Sequence, residues 1–119
     1  TTDPVKLVAR ASVEYTDNGS PVTIVSLTSG DVVWSVDYIY VGTGFDSSGT
    51  DLLDIGTDSD DDRYLADEDV SSGGGIKPTT SNLPDYMTGA TDITATYTGL
   101  GSPGPTQGQL YVYVTYSRW

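Results

Sequence analysis

Apolar residues in this chain recur at every second position, and no stretch spaces them as a helix would. In QLYVYVTY, Leu110, Val112, Val114 and Tyr116 fall on one face while Tyr111 and Tyr113 fall on the other. Near the start, Leu7, Ala9, Ala11, Val13 and Tyr15 share a face opposite Arg10, Ser12 and Glu14. β-Branched residues and tyrosine supply most of these positions, as pleated surfaces favour. The pattern predicts an all-β fold: one antiparallel β-sandwich domain over 1–119, of about seven to eight strands, with a jelly roll among its possible orders.

Turn chemistry divides the strands. Asn18-Gly19 between Leu7–Tyr15 and Pro21–Leu27 is a strong hairpin signal, because both residues tolerate positive φ. A turn over Thr28–Asp31 leads to a strand from Val32 to Val41, with Trp34, Val36 and Tyr38 on a common face and Asp37 on the solvent side. Asp51–Gly56 reads as a short strand and Thr57–Asp62 as a turn. Lys77–Gly89 is punctuated by proline and reads as a long covering loop. Strands around Ile93–Tyr97 and Gln109–Tyr116 complete the set.

Composition excludes much chemistry. With no cysteine there are no disulfides, thiolate metal sites or thiol nucleophiles, and with no histidine there is no Ser-His-Asp triad. The glycine clusters at 42–44 and 71–75 lack the lysine and the flanking helix of a phosphate loop. Five scattered bases against 17 acids offer no stripe to neutralise nucleic-acid phosphates, and no apolar run reaches the length of a membrane span. These absences argue against an enzyme, a nucleic-acid partner and a membrane partner.

The charge is concentrated. Ten acids and one base, Arg63, lie between Asp46 and Asp69, so that segment holds nine of the twelve net negative charges. Asp58, Asp60, Asp62 and Asp69 occupy positions one, three, five and twelve of a calcium-loop spacing. Arg63 stands where that loop needs glycine, and no helix flanks it. The expected reading is therefore no metal and no cofactor, with aspartates capping backbone N–H groups in a solvated turn. Calcium held by those four residues is the sharp alternative. Paired-carboxylate glycosidase chemistry is disfavoured, because nothing apolar surrounds the acids to raise one pKa.

Tyrosine outnumbers phenylalanine nine to one. Outward tyrosines give rigid contact area with a polar tip, which suits interfaces. The candidate contact residues are Tyr111, Tyr113, Tyr86, Met87, Arg118 and Trp119.

The run from Val32 to Gly74 resembles small structural proteins of tailed bacteriophages. The likeness rests on a strand, a Phe45-Asp46 loop, an Asp54-Ile55-Gly56-Thr57 element, an acidic segment containing Asp62 and a glycine-rich turn, with Val41 a further anchor. It extends through the closing strands to Tyr116. The resemblance implies a non-enzymatic virion β-sandwich: a capsid decoration (cement) protein, or a head- or tail-fibre module. Its implied partners are the major capsid protein and copies of itself, as a homotrimer. Its implied location is the capsid surface, after synthesis in the host cytoplasm. The alternative from another class is a calcium-assisted carbohydrate-binding sandwich.

Overall fold

The computed structural model describes residues 5–71, 76–79 and 81–118. Nine strands run through them: β1 (Val5–Glu14), β2 (Val22–Leu27), β3 (Val32–Tyr40), β4 (Asp51–Thr57), β5 (Asp60–Asp69), β6 (Ile76–Thr79), β7 (Asp85–Tyr86), β8 (Thr91–Gly99) and β9 (Gln109–Arg118). One sheet has the order β1-β9-β3-β6, with the two-residue β7 also paired to β3. The other has the order β2-β8-β4-β5. All pairings are antiparallel. This interleaving of early and late strands is that of a jelly roll.

The alternating faces explain the core. Leu110, Val112, Val114 and Tyr116 of β9 turn inward, as do Ile93, Ala95 and Tyr97 of β8. Val36 and Tyr38 of β3 and Leu53 and Ile55 of β4 join them. Each valine, leucine or isoleucine among them contributes about 1.5–3 kcal/mol on leaving water. Met87 is 4% exposed and packs in this cluster. It is not the surface contact that its place in a proline-rich loop suggests.

The structure departs from the sequence reading in four places. Asn18-Gly19 does not close a hairpin, because β1 and β2 lie in opposite sheets. Gly19 has φ of 80° but Asn18 has φ of −51°, so the paired positive angles of a hairpin turn are absent. The Asn18 side chain instead pairs with the backbone of Gly99, donating to its carbonyl at 3.1 Å and accepting its N–H at 2.8 Å. That ties the corner to β8.

A bulge between Val33 and Ser35 is the second departure. It inserts one residue and changes the phase, so Val33 enters the core and Trp34 is 42% exposed. Third, β5 begins inside the acidic run, at Asp60, where a turn was expected. Fourth, the expected covering loop contains β6 and β7, both paired to β3.

The Asp54-Ile55-Gly56-Thr57 element has a physical role at each position. The Asp54 carboxylate accepts the Asp67 N–H at 2.6 Å, and Ile55 is in the core. Thr57 Oγ1 accepts the Asp60 N–H at 3.1 Å, shaping the two-residue turn into β5. Gly56 lies where β5 bulges toward β4, and a Cβ there would overlap the Asp60 carbonyl oxygen and the Asp61 backbone. Gly56→Ala is therefore expected to destabilise the domain by roughly 2–3 kcal/mol, measured as a lower denaturant midpoint at unchanged slope. An unchanged midpoint would show that the hairpin yields freely.

Candidate interaction site

Buried carboxylates lock the ends of the sandwich. Asp31, 2% exposed, accepts the Thr28 N–H at 2.9 Å and pairs with Arg118 at 3.0 Å, fastening the end of β9 to the β2–β3 turn. Asp85 accepts Arg63 at 2.7 and 3.0 Å and the Tyr64 hydroxyl at 2.6 Å, joining β7 of one sheet to β5 of the other. Asp51 accepts the Tyr97 hydroxyl and the Ser47 N–H. Burial works against Asp31 ionisation, but bonds from Arg118 and Thr28 outweigh it and hold its carboxyl below the usual range. The Arg63 fork holds Asp85 below it as well.

With these ends closed, two opposed outer faces remain, and they differ in chemistry. The outer face of the β1-β9-β3 sheet displays Tyr111 and Tyr113, edge to face with ring centres 6.5 Å apart. The Arg10 guanidinium lies over the Tyr111 ring at 4.5 Å, and the Lys6 ammonium over Trp34 at 5.3 Å. Trp34 is also held by a bond from its indole N–H to Ser117 Oγ at 2.9 Å. Beside them an open, mainly apolar groove runs between Val8, Tyr113, Thr115, Asp37 and Ile39.

The opposite side is acidic. Asp58, Asp60, Asp61, Asp62 and Asp67 are exposed along the β4–β5 hairpin, as is Asp69 at its far end. Burial raises the Asp54 pKa, helped by the neighbouring Asp67, Asp61 and Asp62 charges. A hydrogen bond shared with Asp62 raises that of Asp60. Other acids of the segment act as caps. Asp46 accepts the N–H groups of Thr106 and Gln107 at 2.6 and 3.0 Å, and Asp69 accepts that of Ser71 at 2.9 Å.

The four carboxylates of the calcium spacing do not converge. Asp60 pairs across from Thr57 at the hairpin tip, whereas Asp69 pairs across from Leu52 at the other end of β5. Nine residues of strand separate them, about 30 Å. Among the described residues no three acids stand close enough to hold a metal ion.

Of the predicted contact residues, Tyr111 and Tyr113 share the aromatic face. Tyr86 is 62% exposed on β7, pairing with Val32 and so lying at another end of the same sheet. Arg118 is engaged by Asp31 and lies within β9, and Met87 is in the core. Trp119 lies outside the described residues. Trp34, Val8 and Ile39 were missed. The adjacent apolar pair Val33-Trp34 is the sequence trace of the bulge, since simple alternation cannot bury both.

No protein-family model and no curated protein matches the chain. Solved structures do. A chain of the cyanophage Pam1 capsid asymmetric unit is 22% identical, with a TM-score of 0.75 over 96% of this chain and 85% of that one. A chain of the acidic stable capsid structure of Helicobacter pylori bacteriophage KHP30 is 18% identical, with a TM-score of 0.74 over 96% of this chain and 88% of that one. At these identities the likeness is one of fold.

Two outcomes follow from the acidic side. Calcium is expected to leave the melting temperature unchanged; a rise that EDTA reverses would show that the hairpin binds the ion. The pH response has two parts of opposite sign. Asp31 and Asp85, with lowered pKa values, stabilise the fold above about pH 4, and that contribution is lost as pH falls through their folded values. Asp54, with a raised pKa, opposes folding once ionised and is relieved as pH falls. Asp54→Asn is expected to raise the melting temperature at pH 7, the advantage vanishing as pH falls through the raised Asp54 pKa. A pH-independent effect would separate it from charge.

Proposed function

We propose that this chain is a non-enzymatic structural protein of a tailed-phage virion, made in the host cytoplasm and carried on the capsid exterior. In this reading it is a decoration or cement protein that assembles as a homotrimer and binds the major capsid protein through the outer face of the β1-β9-β3 sheet. The carrying observation is the opposition of two faces: Trp34, Tyr111 and Tyr113 with Lys6 and Arg10 on one side, and the acidic hairpin on the other. The fold shared with chains from two phage capsid structures supports the same reading.

The mechanism is one of surface chemistry. Tyrosine and tryptophan fixed by neighbours offer contact area at little cost in conformational entropy. The Lys6 and Arg10 charges steer that face toward a shell, while the hairpin charge repels other acidic surfaces and faces solvent. Repetition over a lattice multiplies weak single contacts into firm attachment.

Co-sedimentation with shells stripped of this protein tests the reading. The wild type is expected to pellet with shells and to have three times its 12.6 kDa mass in solution. Tyr113→Asp is expected to keep its cooperative melt while losing at least about tenfold in shell affinity, a loss of about 1.4 kcal/mol. A monomer that never pellets with shells would overturn the proposal.

A further inference from the structure

The four outer edges of this sandwich are not equally protected. The β2 edge carries a bulge between Thr23 and Val25, directly after Pro21. The β5 edge is broken by two register shifts, has a positive φ at Asp67 and is lined with acids. At the fourth edge β6 has four residues including Pro78, and β7 has two. Bulges, charges, proline and short length are the usual devices that stop sheet edges from pairing with other chains.

β1 has no bulge, no proline and no shortness to protect it; of these devices it carries only charge, at Lys6, Arg10 and Glu14. Its ten residues keep an unbroken register with β9, from Val5 opposite Arg118 to Glu14 opposite Gln109. It contains no proline and no glycine. Its free side faces no other strand among the described residues. In an antiparallel edge strand alternate residues direct N–H and C=O outward, so about five residues of β1 present unpaired groups. Toward its start the strand also exposes apolar side chains on both faces: Val5 is 57%, Leu7 36% and Val8 65% exposed. The strand outruns the core that its alternation was expected to fill.

We propose that β1 is a docking edge that accepts one extended segment of the shell protein as an added strand, extending the sheet beyond β1. This rests on the reading of the chain as a capsid-bound protein and names how it binds. Charge fixes the chemistry of the segment. Lys6 and Arg10 stand four residues apart on the outer face of β1, so a matching strand places carboxylates opposite them and aliphatic side chains opposite Val5 and Leu7. A second copy supplies this poorly. Pairing β1 with its own copy so that Lys6 meets Glu14 sets Arg10 against Arg10. The acidic strand of a copy, β5, is irregular, with register shifts on either side of its pairing to Ile55.

Backbone hydrogen exchange of β1, free and shell-bound, tests the docking edge. The outward amides of β1 are expected to exchange rapidly in the free protein and to slow at least tenfold on shells. Single proline substitutions at Leu7, Val8, Ala9 and Ala11 provide the second measurement. Those with an inward N–H lose a bond to β9 and melt lower, whereas those with an outward N–H keep the wild-type melt and are expected to lose at least tenfold in shell affinity. Lys6→Glu with Arg10→Glu is expected to weaken binding similarly at low salt.

Failure to pellet with shells overturns the capsid reading itself. Pelleting with β1 amides still exchanging rapidly, or with folded proline variants binding as wild type, overturns the docking edge alone. Protection of β1 that appears on self-association, without shells, assigns the edge to a second copy and overturns the proposal.

Discussion

Closure of the two inner faces onto one core is the constraint from which the remaining features follow. β9 lies at the centre of one sheet and β8 at the centre of the other, and their inward residues supply much of the buried surface. Every other strand is placed by its register to one of these two or to a strand beside it. The side chains left outside are then determined by alternation. Tyr111 and Tyr113 face out because Leu110, Val112 and Val114 face in. The aromatic outer face is generated here as the reverse side of a packing requirement.

Much of this was legible in the chain. Period-two patterning in β1, β8 and β9 gave the class of fold, and the face assignment in β9 was correct residue by residue. The element Asp54-Ile55-Gly56-Thr57 stands out in the sequence, and each of its residues holds a bond, a core position or a close backbone approach. What was not legible depended on distant partners. The Asn18-Gly19 pair satisfies the local rule for a hairpin, yet the Asn18 amide is spent on Gly99, eighty-one residues away. Jelly-roll order separates chain neighbours into opposite sheets, so local turn signals were least informative about pairing.

The site was read less completely than the fold. A bulge changes the phase of every residue before it, and without locating one at Val33 the outward position of Trp34 cannot be seen. Met87 failed for a related reason. Its neighbourhood is polar and proline-rich, which suggests exposure, but the Met87 N–H bonds to the Asp31 carbonyl and draws the side chain into the core. The acidic segment was read as one unit and is several. Asp46 and Asp51 fasten loops, Asp54 and Asp69 accept backbone N–H groups, and Asp58, Asp61, Asp62 and Asp67 are exposed surface charge.

The pairing of β1 with β9 has a consequence for synthesis. A ribosome releases β1 about a hundred residues before β9, its partner strand among the described residues, exists. During that interval the strand, with its valines and leucine, lacks the β9 backbone it pairs with in the finished fold. The acidic stretch from Asp46 to Asp69 emerges midway through the wait, so the growing chain acquires its strongest repulsive charge before its first and last strands can meet. The uneven distribution of charge along this sequence thus bears on the chain as it is made as well as on its finished surface.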